Sequence, residues 1–237
     1  MYETIELNSK ENYNEIVLNR PQKLNALSEG MVYDLHDALS NLTKSSPKIL
    51  LIRGRGDSFC SGHDLSEPVD LTDEQKMLTY LNKMQEITKL IVQYEAPVIS
   101  ALHGYALGAG FEIALNSDLI YAASSTKIGF PELKIGLSIT QGSSYFLPKK
   151  LGLQKVKELL YFGENIEAKE AHELGLFNEV FAENELLEKV IDKINVLSER
   201  SLKSINTVNQ LLHESYSGTL EESLDSEIRA LIKLYSE

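Results

Sequence analysis

The sequence predicts an α/β fold, in which a parallel or mixed sheet is covered by helices and followed by a helical C-terminal region. Three observations carry this. Short apolar runs, KILLIR (48–53), PVISAL (97–102) and DLIYAA (118–123), alternate with segments of helical period, the signature of strands joined by covering helices. Glycine-rich stretches follow two of these runs, at 54–62 and 104–110. From about Gln154 onward the pattern is almost wholly helical.

Taken in order, residues 3–7 and 13–18 read as strands around a polar turn, and Ser28 caps a helix with Met31, Leu35, Leu39 and Leu42 on its apolar face. The buried strand 48–53 runs into the Gly54–Gly62 loop. Thr72 and Gln75 are spaced as a capping box for a long helix with Met77, Leu81, Met84, Ile87 and Ile91 on one stripe, which must end before Pro97. Strand 97–102 leads through small residues, Ala106 to Gly110, into the helical FEIALNS. Residues 118–123 and 127–130 are further strands, and one more is expected near 178–182. The divisions expected are a core, 1–183, carrying the site, and a helical region, 184–237. In the latter, the stripe Leu187, Val190, Ile191 and Ile194 and the helix 218–235 are expected to bury between subunits.

Composition removes several function classes. Apolar residues at 43% and charged residues at 24% suit a globular chain, and a net charge of −12 opposes broad nucleic-acid binding, which needs clustered cations. A single cysteine, Cys60, rules out an intramolecular disulfide and suits a reducing compartment. No stretch approaches a membrane span, and the N-terminus lacks a basic-then-apolar leader, so a cytoplasmic location is expected. The histidines show no H-E-x-x-H or comparable ligand spacing, so no metal is expected. The nucleophile-elbow, P-loop and dinucleotide glycine patterns are absent.

Chemistry is expected at three places. GRGDSFCSGHDL (54–65) is a loop whose glycines allow close ligand approach. In HGYALGAGFE (103–112) a strand turns through small residues into a helix start, where free backbone N–H groups can stabilise a negative oxygen, with Glu112 one turn on. In GFPEL (129–133), Pro131 stiffens the chain ahead of Glu132. Two carboxylates beside such donors can do acid–base work next to a carbonyl. Cys60 reads as buried filler, Asp64 as a turn residue, and Phe59, Phe130, Tyr145 and Phe146 as pocket or core.

These segments, together with NRPQKLNAL (19–27), IGFPELKIGLSITQGSSYFLPKKLG (128–152) and EAKEAHELGLFNEVF (167–181), resemble the crotonase (enoyl-CoA hydratase/isomerase) superfamily from about Ile5 to Leu234. The resemblance implies a spiral of ββα units in two near-perpendicular sheets, with a helical C-terminal oligomerisation region forming trimers or hexamers. It implies an acyl-CoA substrate whose thioester carbonyl is held by the backbone N–H groups of His63 and Ala109. Glu112 and Glu132 would be the catalytic pair of a hydratase. Lys23, Leu24, Ala26, Ser61, Asp64, Leu65, Gly108 and Pro131 would line CoA or substrate, with coenzyme A part of the substrate and no separate cofactor. Isomerase, decarboxylase and catalytically silent acyl-CoA-binding readings stand as alternatives. Departures from the family pattern are visible: His63 stands where many hydratases carry alanine, the sequence stops at Ser236-Glu237 where relatives commonly continue with a basic, aromatic stretch expected to help cover CoA, and Thr140-Gln141 lies in a loop that is rich in glycine and proline in the hydratases.

Overall fold

The computed structural model describes residues 2–66 and 73–236. A hairpin, β1 (Ile5–Ser9) and β2 (Tyr13–Leu18), leads to α1 (Glu29–Leu42), whose N-cap is Ser28, accepting from the Met31 N–H. Next come β3 (Ile49–Gly54) and the long α2 (Glu74–Val92). Thr72 of the expected capping box lies outside the described residues, and Asp73 caps α2 by accepting from the Lys76 N–H. The buried stripe of α2 is Tyr80, Met84, Ile87 and Ile91, with Met77 and Leu81 at its margin.

The middle of the chain gives β4 (Val98–Leu102), β5 (Tyr105–Leu107), α3 (Ala109–Leu115), β6 (Leu119–Ala123) and β7 (Lys127–Gly129). A 3-10 turn, Pro131–Ile135, follows, then α4 (Ser143–Leu151) and α5 (Leu153–Phe162). The remainder is β8 (Ile166–Glu167), α6 (Ala168–Glu173), β9 (Glu179–Phe181), α7 (Leu186–Ser198), α8 (Leu202–Ser215) and α9 (Leu220–Ser236). Among the described residues no helix is long and apolar enough to cross a membrane.

The strands form a six-stranded sheet in the order β1-β2-β3-β4-β6-β9, parallel except for the β1/β2 hairpin, and a three-stranded sheet, β5-β7-β8. The central strands are continuous apolar runs because both faces of the large sheet are covered. Leu50, Ile52, Val98, Leu102, Ile120 and Ala122 pack with α1, α2 and α3 on one side. The alternate residues Ile49, Leu51, Ile99, Ala101, Tyr121 and Ala123 pack with Leu186, Val190 and Ile194 of α7 on the other.

That second layer corrects one expectation. The α7 stripe does not await a neighbouring subunit: it covers the chain's own sheet, through Leu186 rather than Leu187, which is exposed. Helices α8 and α9 differ, for neither buries a residue within the chain.

Candidate active site

The small sheet positions the site. β5 and β7 run parallel with Leu107 beside Gly129, and the Gly108 N–H donates to the Gly129 carbonyl at 2.8 Å. Both strands therefore end together, one entering α3 through Gly108 and the other entering Pro131-Glu132. On the far side of β5, Cys60 bridges Ala106: its N–H donates to Tyr105 O, and its carbonyl accepts from the Leu107 N–H. His63 in turn bridges Leu27. Four segments far apart in sequence thus lie side by side, carrying residues 24–27, 60–63, 106–109 and 129–132.

Close approach depends on glycine at two points. Gly108 has φ +50°, and a Cβ there would run into Glu132 Oε1, with Glu132 Cδ at 3.2 Å. Gly62 has φ +96°, and a Cβ there would lie 3.0 Å from Leu107 O and 3.9 Å from the Ala109 nitrogen. The His63 segment and the start of α3 are therefore neighbours, and Glu132 stands over the residue before Ala109. Neither the His63 nor the Ala109 backbone N–H donates to a turn or loop carbonyl among the described residues. α3 is only seven residues long, so local N–H geometry rather than a large helix dipole is what it offers.

The two carboxylates have different surroundings. Glu112, in the first turn of α3, is buried; Oε1 accepts from the Gln141 N–H at 3.1 Å, and both oxygens accept from the Thr140 N–H at 3.2–3.3 Å. Glu132 is also buried, but its Oε2 has no hydrogen-bond partner among the described residues. Burial, with the Glu112 charge adding to it, pushes the Glu132 carboxyl up to about 7. Such a pair can hold one acid and one base near neutral pH.

The other expected residues divide. Lys23 and Leu24 are exposed at a 3-10 turn, and the Leu24 carbonyl accepts from the Ser61 N–H at 3.0 Å. Ala26 is buried, its carbonyl accepting from Arg20 Nη1 at 2.7 Å; Leu65 is exposed; Pro131 is half-buried. Asp64 carries its charge inward: it accepts from the Ser66 hydroxyl and N–H and pairs with Arg20 at 2.8 Å, which together hold its carboxyl down at about 2. Its side chain is a strut between segments rather than an acid. The His63 ring shares a 3.2 Å hydrogen bond with the Tyr80 hydroxyl of α2, and burial holds its imidazole below the usual histidine value. Phe59 and Phe130 are core, Cys60 is buried with its thiol pushed up to about 12, and Tyr145 is exposed. Among the described residues no cluster of three His, Cys, Asp or Glu side chains is arranged to hold a metal.

Sequence reasoning passed over Asn25 and the roles of Thr140 and Gln141. Asn25 is fully buried at φ +54°; its amide donates to the carbonyls of Arg55 (2.9 Å) and Ser58 (2.7 Å) and accepts from the Arg20 N–H (2.8 Å), tying segment 20–27 to the glycine loop. An asparagine tolerates the left-handed region, and only that tolerance marks it in sequence.

Comparison with known proteins agrees with this architecture. The family model for enoyl-CoA hydratase/isomerase matches residues 8–237. The enoyl-CoA isomerase/hydratase fer4 of Mycosarcoma maydis is 33% identical over 175 residues, covering 70% of this chain and 64% of that protein, less than two thirds of its length. The crotonyl-CoA hydratase of Syntrophomonas wolfei is 36% identical over 192 residues, covering 80% and 73% respectively. The crystal structure of enoyl-CoA hydratase from Thermoplasma volcanium GSS1 superposes with a TM-score of 0.90 at 31% identity, covering 99% of this chain and 93% of that one. With the family model matching nearly the whole chain and the superposition covering 99% of it, the chain belongs to the enoyl-CoA hydratase/isomerase family and has the crotonase fold.

Proposed function

We propose that this chain catalyses the reversible syn hydration of a 2-enoyl-CoA thioester to a 3-hydroxyacyl-CoA. The observation that carries the reading is the unlike pair of buried carboxylates, Glu112 held by backbone N–H groups and Glu132 with its Oε2 unpartnered and its carboxyl pushed up to about 7. In this reading the thioester carbonyl accepts from the His63 and Ala109 N–H groups, which stabilise the charge that develops as water adds to C3. Glu112 takes a proton from the water, neutral Glu132 delivers one to C2, and a proton passing between them resets the pair. Coenzyme A lies along residues 23–26 and 61–65, with Gly108 and Pro131 against the acyl end. The enzyme is cytoplasmic and needs no cofactor beyond the CoA of its substrate. Relatives named hydratase and isomerase/hydratase support the reaction class.

The test is the loss of enoyl-thioester absorbance on adding crotonyl-CoA to the pure protein. We expect hydration, with Glu112→Gln and Glu132→Gln each lowering turnover at least about a hundredfold, and solvent deuterium entering C2 of the product. If the wild type never forms a hydrated product while Glu112→Gln still moves the double bond of a 3-enoyl-CoA, the reaction is isomerisation by Glu132 alone. A protein that binds acyl-CoA but alters neither substrate is a binding subunit.

A further inference from the structure

The loop after Glu132 holds a second set of contacts that the two-carboxylate reading leaves unused. Residues 140–141 dock along the face of α3 that carries Ala109, Glu112 and Asn116. The Gln141 N–H donates to Glu112 Oε1 at 3.1 Å, and its carbonyl accepts from Asn116 Nδ2 (3.3 Å) and from Thr88 Oγ1 (3.2 Å). Its side-chain Nε2 donates to the Ala109 carbonyl at 2.9 Å. A carbonyl can only accept, so this last bond fixes which end of the amide is which: the NH₂ faces Ala109 and Oε1 faces away from it.

Gln141 is 1% exposed, and Oε1 has no partner among the described residues. The backbone clamp keeps it from swinging to find one. A buried carbonyl without a donor is destabilising, and an apolar side chain of the same size would escape that cost. Thr140 Oγ1 and Glu132 Oε2 are likewise buried and unpartnered. Asn116 Oδ1 and Ser143 Oγ are buried and unpartnered as well, so among the described residues five such oxygens lie on the C-cap of α3 and on the stretch from Glu132 to Ser143. Gln141 Oε1 is the acceptor-only atom carried by a residue whose own N–H holds Glu112, and the donor that hydration brings to Glu112 is water.

We propose that Gln141 is a further substrate-contacting residue, whose Oε1 accepts a hydrogen bond from the O–H that is retained when water adds to the acyl chain. This rests on the hydration reading. As the water oxygen bonds to C3, one of its hydrogens leaves to the carboxylate pair, which supplies the proton gained by C2. The other stays on oxygen as the 3-hydroxyl, held by Gln141 from reactant to product.

The experiment compares two competitive inhibitors of crotonyl-CoA turnover: 3-hydroxybutyryl-CoA of the handedness the enzyme forms, and butyryl-CoA, which lacks only the hydroxyl. Wild type should bind the hydroxylated ligand about tenfold more tightly, the scale of one such hydrogen bond. Gln141→Met should bring the two ligands within about twofold of each other. Equal weakening of both ligands in the variant, or a preserved preference, would mean that Gln141 acts only as scaffold and overturns the proposal. So does a wild type with no preference, a result that needs no variant to fold. Gln141→Leu serves as a second apolar replacement. A wild type that hydrates no 2-enoyl-CoA sinks the parent reading instead, and is recognised separately because it is seen before any variant is made.

Discussion

Glu132 ties the chemistry to stability, because burying a carboxyl with one oxygen left unpartnered favours its neutral form. Its folded carboxyl sits near 7 against an ordinary 4.5, so between those values the folded chain keeps a proton that the unfolded chain has released. Stability contributed here is full below about pH 4.5, falls as pH rises through about 7, and is level above it. Across that window the loss is on the order of 3 kcal/mol, from about 1.4 kcal/mol per pKa unit. Glu132→Gln cannot titrate, so denaturant titrations at pH 5 and pH 8 should show wild type losing stability relative to the variant at the higher pH. A difference that does not change with pH would mean Glu132 ionises like an exposed carboxylate. Asp64 does not blur this reading: its depressed carboxyl loses its contribution only as pH falls from about 3.8 toward about 2, outside the window.

At the scale of elements, α7 is the informative case. Its stripe is amphipathic, and the sequence says that it must bury somewhere but not against what. In the fold it fills the face of the large sheet opposite α1 and α2, with Val190 and Ile194 fully buried. Ile194→Ala should therefore cost about 2–5 kcal/mol of folding stability, the range for truncating a buried isoleucine. Because α7 contributes no residue to the site, kcat per folded enzyme should hold. Subunit association should hold as well. Equilibrium unfolding with sedimentation in parallel checks both; weakened association with unchanged stability would return α7 to a subunit interface. Helix α3 teaches the converse: it is short, wholly buried, and matters for where its first turn is delivered.

At the scale of the whole molecule, the last two helices present an apolar surface that the chain's own core does not cover. Val208 and Leu212 on α8 and Leu220, Leu224, Ile228, Leu231 and Ile232 on α9 are all at least half exposed, a density of apolar side chains that marks an interaction surface. We propose that this face packs against further copies of the chain in a trimer or hexamer. Sedimentation should give a mass three or six times 26.6 kDa, and Ile228→Glu should shift it toward the single chain by burying a charge at the contact. A wild type that sediments as a single chain would remove the assembly.

Read from sequence alone, the large sheet was visible because its strands are local apolar runs, and α1 because its cap and apolar period lie within fifteen residues. Glycine positions 108 and 62 were legible as permissive points, and the family resemblance named Glu112 and Glu132. What spacing could not supply was their juxtaposition. β5 is only three residues long, too short to read as a strand, yet its pairing with β7 and with Cys60 brings the segments together. The tether made by Asn25, the inward charge of Asp64, the cover supplied by α7 and the unpartnered oxygen of Gln141 were likewise decided by tertiary structure. Periodicity and capping act between residues a few positions apart and are written locally. Burial, hydrogen-bond satisfaction and a carboxyl pushed to about 7 depend on what the rest of the chain places nearby, and exist only once it has folded.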